Sequence, residues 1–274
     1  MKKKVLALCV GLIAFTAKSQ NHQLEKLWVA NEKLAVPESV LYDGVKEVLY
    51  VSLIDGGGAE KDGKGGIALL NTDGSIRNAT WISGLNAPKG LALHKGLLYI
   101  ADIDVVIVVD VVSGNVIDEI GIKEAVFLND VTVDNEGVVY VSDTRENKIY
   151  KIDEGNYSLY MDNVNNANGL KWLNGSLYTL AGKELWRIDS QKKVTIVAQG
   201  FEQAGDGIEP IGNGDFLVTC WPGLIYYVKA DGVIEKLQDI QGEMNTADLG
   251  FNARERILYV PTFNSNSVIA YKLK

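Results

Sequence analysis

Short apolar segments recur along the chain, each alternating inward and outward positions around a tyrosine or leucine. They are VLYVS (48–52), LLYIA (97–101), VVYVS (138–142), SLYTL (176–180), DFLVT (215–219) and ILYVP (257–261). Their central residues, Tyr50, Tyr99, Tyr140, Tyr178, Leu217 and Tyr259, are spaced 49, 41, 38, 39 and 42 residues apart. Alternation with period two marks half-buried strands, and a repeat near forty residues is that of one four-stranded propeller blade. The pattern predicts an all-β chain, a six-bladed β-propeller of four-stranded antiparallel blades. No stretch has helical periodicity.

The repeat at 126–166 shows the unit: FLNDVTVD as inner strand, VVYVSDT second, NKIYKID third and YSLYMD outermost. Asp73-Gly74, Asn174-Gly175 and Asp231-Gly232 suit tight primed hairpin turns. The last repeat has only three strands before Lys274, so Leu24–Val29 is the expected donor of the fourth, closing the ring and removing its open edges. A glycine-rich loop, Gly56–Gly66, lengthens the first repeat. It emerges where the inner strands begin and could cover that face as a mobile flap.

The first nineteen residues read as a signal peptide. Lys2–Lys4 form a positive start, Val5 to Thr16 an apolar stretch, and Ala17-Lys18-Ser19 a small-residue cleavage signal before Gln20. Twelve or so apolar residues are too few for a bilayer span, which needs about twenty. Cys9 lies inside the apolar stretch, with Leu8 where lipidation would want a small residue. A secreted or periplasmic protein is expected, with residues 20–274 as one domain. Cleavage leaves 23 basic against 35 acidic residues, a charge of −12. That balance argues against nucleic acid or an anionic membrane as partner. Only Cys220 survives cleavage, so no internal disulfide can form, and its apolar setting suggests a buried core residue.

Aligned on the central residues, the six inner strands begin ESVLY (38–42), KGLAL (89–93), NDVTV (129–133), NGLKW (168–172), DGIEP (206–210) and ADLGF (247–251). Their first letters are Glu38, Lys89, Asn129, Asn168, Asp206 and Ala247. Four of these six carry oxygen donors, and a propeller points such equivalent positions at one channel. Asn-Gly and Asp-Gly are also common turn dipeptides, so Asn168 and Asp206 could simply end loops. Glu38 and Asn129 lack the glycine, which favours a shared cation. Hard oxygen donors with two formal charges suit Ca²⁺ best, with Mg²⁺ or Mn²⁺ possible.

The strings PESVLYD, LNDVTVD, NANGLKW and GDGIEP, in this order on these blades, resemble the regucalcin and gluconolactonase family, over nearly the whole mature chain. That resemblance implies a six-bladed propeller whose divalent cation is held by Glu38, Asn129, Asn168 and Asp206. It also implies hydrolysis of a small-molecule substrate, a sugar lactone or related ester, with Asp206 as the base. Asp130 and Asp248, one residue further along their strands, are candidates for support around the ion or for substrate contact. Lys89 departs from the family pattern: its ammonium would compete with the ion, bind an anionic substrate, or point away into solvent. The early blades also lack a counterpart of the substrate-binding arginines of several family members.

Other schemes fit less well. His22 adjoins the cleavage site and His94 ends an inner strand near the opposite face, so neither serves a triad or histidine dyad at the donor ring. GAEKDGKG (58–65) has the spacing of a phosphate loop but ends in Gly65, where Ser or Thr should bind Mg²⁺, and leads into a strand; nucleotide binding is not expected. SDTRENKIYKID (142–153) resembles an NHL-type repeat, so a non-catalytic binding propeller with a structural ion is the alternative. Organophosphate hydrolysis at the same site would be a side activity.

Overall fold

The computed structural model describes residues 22–274; the expected signal peptide lies outside the described residues. The chain forms six four-stranded antiparallel sheets arranged as blades in a ring. Blade 1 comprises β2 (Pro37–Asp43), β3 (Val48–Leu53), β4 (Gly65–Asn71) and β5 (Ile76–Leu85). Blade 2 follows with β6 (Pro88–His94), β7 (Leu97–Asp102), β8 (Val105–Asp110) and β9 (Asn115–Gly121). Blade 3 has β10 (Leu128–Val133), β11 (Val139–Asp143), β12 (Lys148–Asp153) and β13 (Asn156–Met161). Blade 4 has β14 (Ala167–Leu173), β15 (Ser176–Ala181), β16 (Glu184–Ile188) and β17 (Val194–Gln199). Blade 5 has β18 (Ile208–Gly212), β19 (Asp215–Cys220), β20 (Leu224–Val228) and β21 (Ile234–Asp239).

Blade 6 supplies β22 (Gly250–Asn252), β23 (Ile257–Pro261) and β24 (Val268–Leu273) from the end of the chain and β1 (Leu24–Ala30) from its start. β1 pairs antiparallel with β24, from Leu24 opposite Leu273 to Ala30 opposite Val268. The expected closing strand is therefore in place. Inner strands also touch around the channel: Val40 N donates to Asp248 O (3.1 Å) and Asp248 N to Glu38 O (2.9 Å), joining blades 6 and 1.

The core lies between blades, because each sheet buries both faces against its neighbours. Ala92, Tyr99 and Val106 of blade 2 pack on Val131, Val139 and Tyr150 of blade 3. Tyr259, Val268 and Ala270 of blade 6 pack on Val40, Leu49 and Val51 of blade 1, which seals the ring. Cys220 is fully buried in such a cluster, and desolvation pushes its thiol up to about 12, so it is a core residue and no nucleophile.

The turns differ in one respect from expectation. Asn174 and Gly175 both have positive φ (50° and 75°), as a type I′ turn requires. At 73–74 and 231–232 only the glycine does (86° and 85°). There the aspartate stays in the ordinary region, and its carboxylate accepts from Ser75 N (2.9 Å) or Val233 N (3.2 Å), an Asx turn that replaces the second left-handed residue. No helix among the described residues is long and apolar enough to cross a membrane.

Candidate functional site

Opposite the six central residues stand Leu41, Ala92, Thr132, Lys171, Glu209 and Gly250. Each lies three positions beyond Glu38, Lys89, Asn129, Asn168, Asp206 and Ala247 respectively, so those six occupy one level of the channel. In blades 1 to 4 the pairing register shifts between Pro37 and Val40, Pro88 and Leu91, Leu128 and Val131, and Ala167 and Leu170. These bulges free Glu38, Lys89, Asn129 and Asn168 from the regular ladder; bulges commonly re-aim side chains beside functional sites. Hydroxyls from the second strands take up the released backbone groups: Ser52 Oγ accepts from Ser39 N, Ser142 Oγ from Asp130 N and Thr219 Oγ1 from Gly207 N, each at 2.9 Å.

The glycines at the next position are not turn residues. Gly90, Gly169 and Gly207 lack positive φ and permit close approach of the adjacent blade. A Cβ would fall 2.2 Å from Asp130 Oδ1 at Gly90, 2.5 Å from Asp206 O at Gly169 and 2.5 Å from Asp248 Oδ1 at Gly207. The turn interpretation of Asn168-Gly169 and Asp206-Gly207 is set aside on this geometry.

At the site level Asn168 Nδ2 donates to Asp206 Oδ1 (2.6 Å), and Asn129 Nδ2 donates to Thr144 Oγ1 (2.9 Å). Glu38 is 5 % and Asp206 4 % exposed, yet Glu38 Oε2 and Asp206 Oδ2 are buried with no hydrogen-bond partner. Burial, then the Asp206 charge, raises the Glu38 carboxyl well above its usual range, with Lys89 opposing. Burial likewise pushes Asp206 up to about 7, against the Asn168 hydrogen bond. Among the described residues no group of three or more His, Cys, Asp or Glu side chains is arranged to hold a metal ion. The candidate set has two carboxylates and two amides. Its two orphaned carboxylate oxygens fit a hard cation, which would supply the missing partner.

Asp130 and Asp248 fasten blades together at this end. Asp130 Oδ2 accepts from Leu170 N of blade 4 (2.5 Å) and its Oδ1 from Val131 N (2.7 Å); Asp248 Oδ2 accepts from Ser39 Oγ of blade 1 (2.6 Å). Burial holds Asp130 up to about 6 and Asp248 well above the usual carboxylate range.

Lys89 does not point into solvent. It is 2 % exposed; its Nζ donates to Ala87 O (2.8 Å) and lies 4.4 Å from the centroid of the Phe127 ring. The Arg145 guanidinium approaches the same ring at 4.3 Å. Lys89 therefore leaves both orphaned carboxylate oxygens without an ion pair, while desolvation lowers its ammonium to about 8. Phe127, Thr144 and Arg145 escape sequence reasoning, although Phe127 lies only two positions before Asn129.

Three bulky residues are held left-handed at the same end. Val36 (φ 49°), Ile103 (φ 58°) and Phe263 (φ 47°) are left-handed, a conformation costly for such side chains, and all pack in one cluster with Ile54 and Ala87. From the segment after β3, Lys61 Nζ meets Asp104 Oδ2 (2.5 Å) beside Ile103. At the other mouth Lys171, Trp172, Thr132 and Tyr42 help line a cavity of about 360 Å³. Lys171 there pairs with Glu209 (2.8 Å), and His94 ends β6 nearby, away from the donor ring.

No protein-family model matches this chain, and no curated protein matches it. Solved structures do. A streptogramin B lyase superposes with TM-score 0.68 at 12 % identity, covering 93 % of this chain and 98 % of its own. Virginiamycin B lyase from Staphylococcus aureus gives 0.67 at 14 % identity, covering 93 % and 100 %. A catalytically inactive form of that enzyme, bound to quinupristin, gives 0.65 at 13 % over the same shares. At these identities the likeness establishes the fold, a six-bladed propeller, and nothing finer.

Proposed function

We propose that this protein is a metal-dependent hydrolase of lactones or related esters, using one divalent cation, Ca²⁺ best, held by Glu38, Asn129, Asn168 and Asp206. The observation that carries the reading is the pair of buried, unpartnered oxygens, Glu38 Oε2 and Asp206 Oδ2, at one level with two amides. A bound cation supplies Lewis acidity toward the ester carbonyl and a more acidic water. Asn168 fixes the Asp206 carboxylate through Oδ1, and this carboxylate, besides helping to hold the cation, would take the proton as water oxygen attacks the carbonyl carbon. The same proton then passes to the alkoxide as the ester C–O bond breaks. Glu38 adds the second negative charge and stays unprotonated while the cation is held. Enclosure of both carboxylates keeps bulk water from competing.

The test is hydrolysis of a panel of aldonolactones by residues 20–274, first stripped of metal and then with Ca²⁺ or Mn²⁺. Turnover should require the ion, and Asp206→Ala should lower it by about 100-fold or more, the usual worth of a general base. A flat panel from protein that demonstrably binds the ion would overturn the catalytic reading.

That outcome would favour the second reading, a binding propeller with a structural ion, which the enclosure of Glu38 and Asp206 supports. Unfolding of Asp206→Ala at ordinary temperature would favour it too. Lyase chemistry like that of the structural neighbours finds less support. The inactive neighbour carries a histidine-to-alanine substitution. The described residues here hold only His22, stacked on Tyr227 of blade 5, and His94 at the far end of β6.

A further inference from the structure

An ammonium taken out of water normally finds a carboxylate, because an uncompensated buried charge is costly. Lys89 is 2 % exposed and has found only a carbonyl, Ala87 O, and the face of an aromatic ring. Among the described residues it forms no ion pair, although Glu38 and the buried Asp102 lie near enough to raise its proton affinity; the Asp102 carboxylate is engaged by Asn86 N and Ala87 N. Arg145, exposed on the loop after β11, likewise stacks on Phe127 without an acidic partner among the described residues. One aromatic ring thus carries two cations, one inside the channel and one at its rim. Two like charges sharing a ring repel each other, and Arg145 indeed disfavours the Lys89 charge. Such an arrangement is relieved by an anion between or beside them.

We propose that Lys89 and Arg145, set about Phe127, form an anion-recognition element of this site, and that its ligand is a small hydroxy-carboxylate or an ester or lactone bearing a carboxylate. Lys89 stands on blade 2, between Glu38 on blade 1 and Asn129 on blade 3, at their level of the channel. With a dication on Glu38 and Asp206, that level carries one uncompensated positive charge, which a monoanionic ligand neutralises. The carboxylates one position further along are already engaged, Asp130 by two backbone N–H groups and Asp248 by Ser39, so they do not compete for the ammonium. The arginine at the rim draws the anion in, and the enclosed lysine fixes it as a point charge. This rests on the hydrolase reading for the ester or lactone, but not for the binding of the carboxylate itself.

The test is calorimetric titration of D-gluconate and of sorbitol, its neutral polyol counterpart, into residues 20–274, metal-free and with Ca²⁺ in excess. Gluconate should bind and sorbitol should not. Lys89→Met, which keeps the side-chain length without the charge, should weaken gluconate at least tenfold. Arg145→Ala, an exposed change with little bearing on folding, should weaken it about threefold through slower association. Equal affinity in wild type and both variants, or binding of sorbitol as tight as gluconate, would overturn the proposal, as would no gluconate binding in either form. Ca²⁺ binding is read in a separate titration, so its failure counts against the hydrolase reading alone, while Lys89-dependent gluconate binding to the metal-free protein would still support the anion site.

Discussion

Gly207 sits where a methyl group would lie 2.5 Å from Asp248 Oδ1 and 2.7 Å from the Leu249 backbone nitrogen. Backbone cannot yield as a flexible side chain can, so Gly207→Ala must push blades 5 and 6 apart beside Asp206. Overpacking of this kind costs about 1–3 kcal/mol. Gly58→Ala is the control: nothing lies within 4 Å of its Cβ, and no positive φ opposes the change. Urea midpoints should fall clearly for the first and stay within error for the second; equal midpoints would show that the inner strands are not in fixed contact. At this scale the sequence is legible by position and illegible by role. Glu38, Asn129, Asn168 and Asp206 lie ten to twelve residues before their central residues, close enough to suggest one level, and strand pairing fixes it by setting each three positions before the residue opposite the central one. The glycine after Asn168 or Asp206 has the same letter whether it makes a turn or admits a neighbouring blade, and only packing separates the two.

The strands and their order follow from hydrophobic period, and even the closing strand is foreseeable, because three strands at the end demand a fourth from the start. What fastens that strand is not foreseeable. His22 N donates to Glu235 Oε1 (2.7 Å), and its Nδ1 meets Glu235 Oε2 (3.0 Å). The imidazole stacks on Tyr227 at 3.7 Å, and the Tyr227 hydroxyl donates to Asp215 Oδ2 (2.5 Å). Gln23 and Lys274 exchange two backbone hydrogen bonds of 3.1 and 2.9 Å. The Gln23–Lys274 pair extends the β1–β24 ladder of blade 6, whereas the His22 contacts moor the entry of β1 to blade 5, across a separation of more than two hundred residues that no local pattern encodes. Glu235→Ala removes the mooring and leaves the β1–β24 ladder. It should cost about 1 kcal/mol, the net worth of a partly exposed hydrogen-bonded pair. The more telling sign is local: amide exchange in β24 should quicken well before global unfolding, since the end strand can then fray. Unchanged exchange in β24 would mean that β1 holds by its ladder alone.

A ring whose channel holds several buried carboxyls has a pH dependence unlike that of its surface. Asp206 is raised from 3.8 to about 7 and Asp130 to about 6, with Glu38 and Asp248 shifted the same way, all by burial first. A carboxyl raised on folding contributes stability that is fully present below its unfolded value and is lost as pH rises through its folded value. The surface carboxylates Asp62, Asp73 and Asp239 and the partly buried Asp110 are lowered, so their opposite contributions change below about pH 4. Lys89, lowered to about 8, contributes stability present above 10.5 and lost as pH falls through 8, outside the same window. Between pH 4 and 7 the metal-free ring should therefore lose stability steadily. Ca²⁺ should reverse the trend, because it binds the deprotonated carboxylates and releases their protons, and its affinity rises over that window. At a hundredfold excess over its Kd the ion adds about 2.7 kcal/mol. Since the four donors come from blades 1, 3, 4 and 5, this gain should appear as one cooperative transition of the whole ring. Thermal melts at pH 5 and pH 7.5, with and without Ca²⁺, decide the matter. A metal-free melting point that does not fall toward pH 7.5, or that falls equally with Ca²⁺ present, would mean that these carboxyls do not form an ion site.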